Sequence, residues 1–212
     1  MPARSLLVLG ATGGTGREVV SQALEQGHAV TAFARRPERM GRAHDRLRFV
    51  AGDAADGGAI LYEAVRGQDA VISTLGRGLS FKSEGLIARS VPNILEAMQR
   101  HAVTRLIFTS AYGVGVTWQD VPTVSRIFAR LLLRDLYADK EAGEETLRRS
   151  GLDWTIVYPS TLTNGPRTGR YRVGERLPMR GLPRISRADL AAFLVTQIED
   201  RRYIGKGVLI SS

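Results

Sequence analysis

Residues 5–20 read Ser5-Leu-Leu-Val-Leu-Gly10-Ala-Thr12-Gly13-Gly14-Thr15-Gly16-Arg-Glu-Val-Val20. A short apolar run, Leu6 to Leu9, leads straight into three glycines spaced three apart, and these lead into a stretch with Val20 and Leu24 on one helical face. Glycine has no Cβ, so the chain can turn sharply and its backbone can lie close to a ligand. A helix opening at that turn presents free N–H groups and a partial positive charge to an anion. The run lacks the Gly-Lys-Ser/Thr of a mononucleotide P-loop. Strand, glycine turn and helix in this order imply that Gly10, Thr12, Gly13, Gly14, Thr15 and Gly16 hold the pyrophosphate of a dinucleotide.

The rest of the chain repeats the rhythm of short apolar run and longer helical stretch. Apolar runs at Ala29–Ala34, Leu47–Val50, Ala70–Thr74, Arg105–Thr109, Thr155–Tyr158 and Val208–Ile210 predict further strands. Helices are predicted at Thr15–Gln26, with Gly27 as a left-handed cap, and at Gly58–Val65, Glu84–His101, Val124–Arg149 and Arg187–Asp200, the last opened by a Ser186/Asp189 capping box. Buried parallel strands read as continuous apolar runs, so the expected fold is α/β: a doubly wound parallel sheet of the Rossmann type, in three layers. Its 212 residues suit one domain, and Pro159–Arg184, with four prolines and four glycines, predicts a loop-rich excursion over about 159–185 beside the acceptor site.

The end of the second strand indicates which dinucleotide. An acidic residue about 20 positions beyond the glycine turn would hold a ribose 2′-hydroxyl, whereas arginine there suits a 2′-phosphate. The chain reads Ala34-Arg35-Arg36-Pro37-Glu38-Arg39, so Arg35, supported by Arg36 or Arg39, points to NADP(H). Asp53, after the third strand, is a candidate for the adenine amino group and equally for a turn cap; Ala54 offers backbone contacts. Leu75 and Gly76 form a small turn that lets a cofactor pass closely, with Arg77 beside it, and Ser110 ends the fifth strand at the same sheet edge.

Composition narrows the classes. No cysteine is present, which removes disulfides and thiolate metal sites, and His28, His44 and His101 form no metal motif. The formal net charge is +9, and of 30 basic residues only Lys82, Lys140 and Lys206 are lysine. The arginines are scattered without a nucleic-acid motif, so a polyanionic small ligand is the expected partner, not nucleic acid. No apolar run is long enough to cross a membrane, and the run at Ser5–Leu9 is too short for a signal peptide core, so a cytoplasmic location is expected. The 124–136 helix is apolar enough for a dimer face, but packing on the sheet is the better reading, leaving monomer or homodimer.

GATGGTG, FARRP, the Gly52-Asp53 pair, the Thr109-Ser110-Ala111 turn, SGLDWTIVYPS, LTNGPRTGRY and ISRADLAAFL, in this order over residues 5–211, resemble the atypical short-chain dehydrogenase/reductases. Within them the chain is similar to the NAD(P)H-binding branch of biliverdin reductase B-like flavin reductases and NmrA-type redox sensors. The resemblance implies that Ser110 and Lys140 are the catalytic-side residues, Ser110 beside the nicotinamide and Lys140 near its ribose. It also implies that Tyr158, Pro159 and Ser160 pack near the nicotinamide amide. Two departures bear on mechanism. The tyrosine four residues before the lysine, which donates a proton in typical members, is Leu136 here; Tyr137 and Tyr112 are the reachable phenols, and Thr161 stands where the branch has an active-site histidine. The resemblance therefore implies hydride transfer from NADPH to a flavin-, quinone- or tetrapyrrole-like acceptor, with an NADP(H)-binding sensor as the alternative.

Overall fold

A computed structural model describes residues 2–41, 43–78, 80, 82–120, 133–179 and 181–212. The strands are β1 (Ser5–Leu9), β2 (Ala29–Ala34), β3 (Leu47–Ala51), β4 (Ala70–Ser73), β5 (Arg105–Thr109), β6 (Asp153–Pro159), β7 (Thr161–Thr163), β8 (Arg172–Gly174), β9 (Arg184–Ser186) and β10 (Lys206–Ser211). The α-helices are α1 (Gly14–Glu25), α2 (Ala59–Val65), α3 (Leu86–Arg100), α4 (Arg134–Arg148) and α5 (Arg187–Thr196). Eight strands form one sheet in the order β3-β2-β1-β4-β5-β6-β10-β8, parallel except for β8, which runs antiparallel to β10. This is the doubly wound, Rossmann-like sheet that the sequence predicts.

The two-residue period of a strand explains the three layers. In β1, Leu7 and Leu9 join Val71, Phe108 and Ile156 under α2, α3 and α4, while Leu6 and Val8 join Val30, Ile72 and Val208 under α1 and α5. Every one of these side chains is at most 2% exposed. No helix among the described residues is long and apolar enough to cross a membrane.

Three expectations are corrected. Helix α3 starts at Leu86, not Glu84, because Glu84 and Gly85 both hold positive φ, 53° and 64°, which no right-handed helix accepts. Helix α5 stops at Thr196, short of Asp200. Just past it the buried Arg105 side chain donates to the Gln197 carbonyl from Nε at 2.9 Å and Nη2 at 2.7 Å. The excursion is not simply a loop: β8 extends the main sheet, and β7 pairs with β9 in parallel. The helix expected from Val124 is seen as α4 from Arg134; residues 124–132, and with them most of the suggested dimer face, lie outside the described residues.

Helix α4 also fixes where α3 begins. Gly85 supplies no side-chain cap, and Asp139 of α4 takes that role from outside, accepting from the Ile87 N–H at 3.0 Å and the Ala88 N–H at 2.8 Å. Asp135 accepts from the Ser83 N–H at 2.5 Å. A carboxylate there satisfies N–H groups that would otherwise be orphaned, and it favours the positive end of the helix dipole. Asp139→Ala is expected to lower stability by about 1–2 kcal/mol, the cost of losing a good cap, read as a lower urea midpoint at unchanged slope.

Candidate functional site

The strand order reverses between β1 and β4, and in such sheets the ligand crevice opens beyond the carboxyl ends of the two strands at that point. Here the residues following β1 and β4 are Gly10 and Thr74. They touch so closely that a Cβ on Gly10, whose φ is +76°, would lie 2.9 Å from the Thr74 carbonyl oxygen. Thr74 closes the seam by donating its N–H and its hydroxyl to the Leu9 carbonyl, both at 2.9 Å. A Cβ on Gly16 would meet the Gly10 oxygen at 2.2 Å, so α1 can sit this tightly on the turn only with glycine there.

The crevice has two joined lobes that share Gly13, Thr74, Leu75, Gly76, Arg77, Gly78 and Ser80. The larger, about 550 Å³, runs past Gly10, Thr12, Phe33, Ala34, Arg35, Asp53, Ala54 and Leu86. The smaller, about 310 Å³, reaches Gly14, Thr15, Thr109, Ser110, Tyr137, Lys140, Leu162 and Arg187. Most residues singled out in the sequence therefore border one continuous trough. Gly16 and Arg36 do not line it: Gly16 packs the turn, and Arg36 is exposed beyond the β2 end.

Local charge follows from how each terminus is finished. Helix α1 opens at Gly13 with no side-chain cap and no acidic residue in its first turn, so its N–H groups face the trough unsatisfied. Arg35 is exposed, with no hydrogen bond or ion pair among the described residues. Arg77, by contrast, is paired with Glu84 at 2.5 Å. Asp53 uses Oδ1 to accept from the Ala55 N–H at 2.9 Å, the turn cap the sequence allowed, while remaining at the wall of the larger lobe.

In the smaller lobe, Lys140 is half-buried, and burial holds its ammonium below its ordinary pKa against the pull of Glu144 and Asp139. The Tyr137 hydroxyl donates to the Tyr112 carbonyl at 3.2 Å, and burial pushes its pKa up. That phenol is thus a poor proton donor to the lobe. The triplet Tyr158-Pro159-Ser160 is not at the trough. Tyr158 is fully buried with its hydroxyl on Glu144 at 2.6 Å and Arg148 at 2.8 Å, and the Ser160 hydroxyl donates to Ser211 at 3.1 Å. Thr161 is exposed, and Leu162, the next residue on β7, lines the lobe instead.

Three functional candidates went unnoticed in the sequence. Glu144 is 2% exposed and accepts from Ser110 Oγ at 2.5 Å; its spacing from Lys140, one helical turn, was a usable signal. Arg187 crosses the α1 turn, where a Cβ on Gly14 would lie 2.7 Å from its Cδ, and is steadied by Asn164 Oδ1 at 2.7 Å. Thr109 Oγ1 is buried at the lobe with no hydrogen-bond partner among the described residues. No cluster of His, Asp and Glu suited to a metal occurs among the described residues.

Comparison with known proteins agrees with this layout. The chain belongs to the NAD(P)H-binding family, whose sequence pattern matches residues 10–201. It is 30% identical over 175 residues to an uncharacterised chloroplastic protein of Arabidopsis thaliana, covering 78% of this chain and 62% of that one, so it spans under two thirds of that relative's length. A short-chain dehydrogenase/reductase from Veillonella parvula, solved in complex with NADP, superposes with a TM-score of 0.82 at 19% identity, over 100% of this chain and 95% of that one. The anaerobilin reductase ChuY of Escherichia coli O157:H7 gives 0.79 at 21%, over 97% and 96%. At such identities the two structures speak for the Rossmann-like fold alone. The cofactor class is NAD(P)H.

Asp189 ties the 168–169 turn to the start of α5, two residues past the lobe-lining Arg187. Its carboxylate accepts from the Thr168 and Gly169 N–H groups and the Thr168 hydroxyl, each at 2.8 Å, and from Ser186 Oγ at 3.0 Å. Burial alone would raise its pKa, but these hydrogen bonds outweigh it and hold the group below the usual carboxylate range. A depressed folded-state pKa contributes stability above the unfolded value near 3.8, and that stability is lost as pH falls through the folded value. Wild type should therefore destabilise as pH drops below about 4, and Asp189→Asn should show a shallower loss in that window, measured by denaturant melts at stepped pH.

Proposed function

We propose that the chain is an NADPH-dependent reductase that delivers hydride to a planar, conjugated acceptor of the flavin, quinone or tetrapyrrole class. The observation that carries the reading is one trough running from an unpaired Arg35, past an uncapped α1 terminus, to Ser110 and Lys140. The fit is chemical as well as spatial. The 2′-phosphate meets the Arg35 guanidinium, whose planar fork suits it, and the pyrophosphate lies against Gly13 and meets the α1 N–H groups of Gly14 and Thr15. Asp53 and Ala54 face the adenine, and Leu75 and Gly76 let the cofactor pass against the sheet edge.

Bound there, NADPH supplies a hydride, and the protein's task is to place donor against acceptor. Lys140 holds the ribose hydroxyls, burial pulling its pKa below the ordinary lysine value while Glu144 and Asp139 oppose that shift. Ser110 borders the nicotinamide. A carbonyl or sugar substrate would need a phenolic proton donor, and Tyr137 spends its hydroxyl on the Tyr112 carbonyl. An electron-poor conjugated acceptor can take its proton from solvent, which is why that class is favoured. The same spent phenol suits a second reading, a non-catalytic NADP(H)-binding sensor, which would bind the cofactor and turn nothing over. The partner is then the cofactor or a small acceptor, and the chain acts as monomer or homodimer in the cytoplasm.

Arg35→Glu should weaken NADPH binding at least tenfold while changing NADH binding less than twofold, measured by titrating cofactor fluorescence; equal losses would sink the 2′-phosphate assignment. Mixing purified protein with NADPH and FMN, a quinone or biliverdin in turn should give saturable loss of near-ultraviolet NADPH absorbance with at least one of them, and a weaker rate with NADH. Tight NADPH binding with no turnover across the set would select the sensor.

A further inference from the structure

Beneath the smaller lobe lies a hydrogen-bond chain whose direction is set from one end. Arg148 can only donate, and its Nη2 reaches the Tyr158 hydroxyl at 2.8 Å. The phenol oxygen is therefore the acceptor in that bond, and the phenol's own proton is aimed at Glu144 Oε2, 2.6 Å away. Burial first, and Glu144 next, push the Tyr158 pKa far above its ordinary value, so that proton stays on the phenol. Arg148 also stands 3.4 Å from Oε2 and provides the countercharge. The other carboxylate oxygen, Oε1, takes the Ser110 hydroxyl at 2.5 Å. The chain above Glu144 is closely shaped to it: a Cβ on Gly115 would come within 3.0 Å of Oε2.

A serine hydroxyl has one proton and two lone pairs. With the proton held from below, Ser110 turns only lone pairs toward the lobe it lines. A fixed acceptor at the lobe is complementary to the N–H₂ of a primary amide.

We infer that Glu144 is a positioning residue that fixes the Ser110 hydroxyl as a hydrogen-bond acceptor, so that the lobe selects the carboxamide N–H₂ of the cofactor over a group that can only accept. The inference rests on the nicotinamide end occupying this lobe, as proposed above. Glu144 itself touches no ligand; it acts through Ser110.

The test is binding, not turnover. NADPH is compared with its reduced 3-acetylpyridine analogue, in which a methyl ketone replaces the amide and the N–H donor is lost. Wild type should bind NADPH about tenfold tighter, since the ketone oxygen would face lone pairs. In Glu144→Gln the amide oxygen turns to the two donors, Tyr158 and Arg148, leaving its N–H₂ toward Ser110. The serine proton is then released into the lobe, and the preference should fall to within about twofold or reverse. In a Ser110→Ala background the same substitution should leave the ratio unchanged, whereas a merely structural role would lower both affinities and move no ratio. Glu144→Asp, which keeps the charge but withdraws the oxygen from Ser110, gives the same reading should the glutamine variant fail to fold.

A wild type that binds both forms equally, a folded Glu144 variant that keeps the wild-type ratio, or a ratio that shifts equally in the Ser110→Ala background would each overturn the role of Glu144. A wild type that binds neither dinucleotide would overturn the placement of the cofactor first, and this inference with it.

Discussion

Helix α1 can meet the end of β1 only because no side chain intervenes between Gly16 and the Gly10 carbonyl. A single methyl group would enter that oxygen at 2.2 Å, and a methyl on Gly10 would enter Thr74 at 2.9 Å. Two contacts between bare backbones thus set the distance of α1 from the sheet and the position of β4 beside β1. Everything in the trough is measured from them. The Gly13 N–H closes the turn on the Gly10 carbonyl at 3.0 Å, and the uncapped first turn of α1 that follows it lies at the switch in strand order.

The two helix starts nearest the trough show how the chain assigns roles to similar geometry. Helix α1 is left without a cap and without acidic residues, and so stays open to an anion. Helix α3 opens on the opposite bank, and there Asp139 and its partner Asp135 use the available donors. One terminus is left uncapped; the other is spent holding the 83–88 bank against α4. The same helix carries Tyr137, Lys140 and Glu144, spaced at three and four residues, so the bank of the larger lobe and the floor of the smaller are referred to one rigid element.

Much was legible from residue order alone. The glycine turn, the parallel rhythm and the placing of Arg35, Asp53, Leu75 and Ser110 at strand ends follow from local rules: period, turn chemistry and the carboxyl edge at which a doubly wound sheet binds. The failures were of another kind. The family resemblance implied that Tyr158 packs near the nicotinamide, yet it is fully buried, with its hydroxyl below the trough. Pattern gives a strand's two faces but not which of them a helix covers. Helix α5 was read too long because the donor just beyond it, Arg105, comes from 92 residues away.

The sequence by itself determined the class of fold, the compact glycine turn and the class of cofactor, because each depends on residues within one strand–turn–helix unit or at one strand end. Only the tertiary structure decided which hydroxyls reach the lobe and with what polarity. Ser110 and Glu144 are 34 residues apart, and Asp189 reaches back 20 to 21 to hold the 168–169 turn. A hydrogen bond has a direction, and that direction is set by every partner in the chain, from Arg148 through Tyr158 to Glu144. No local rule on a single segment contains all of them.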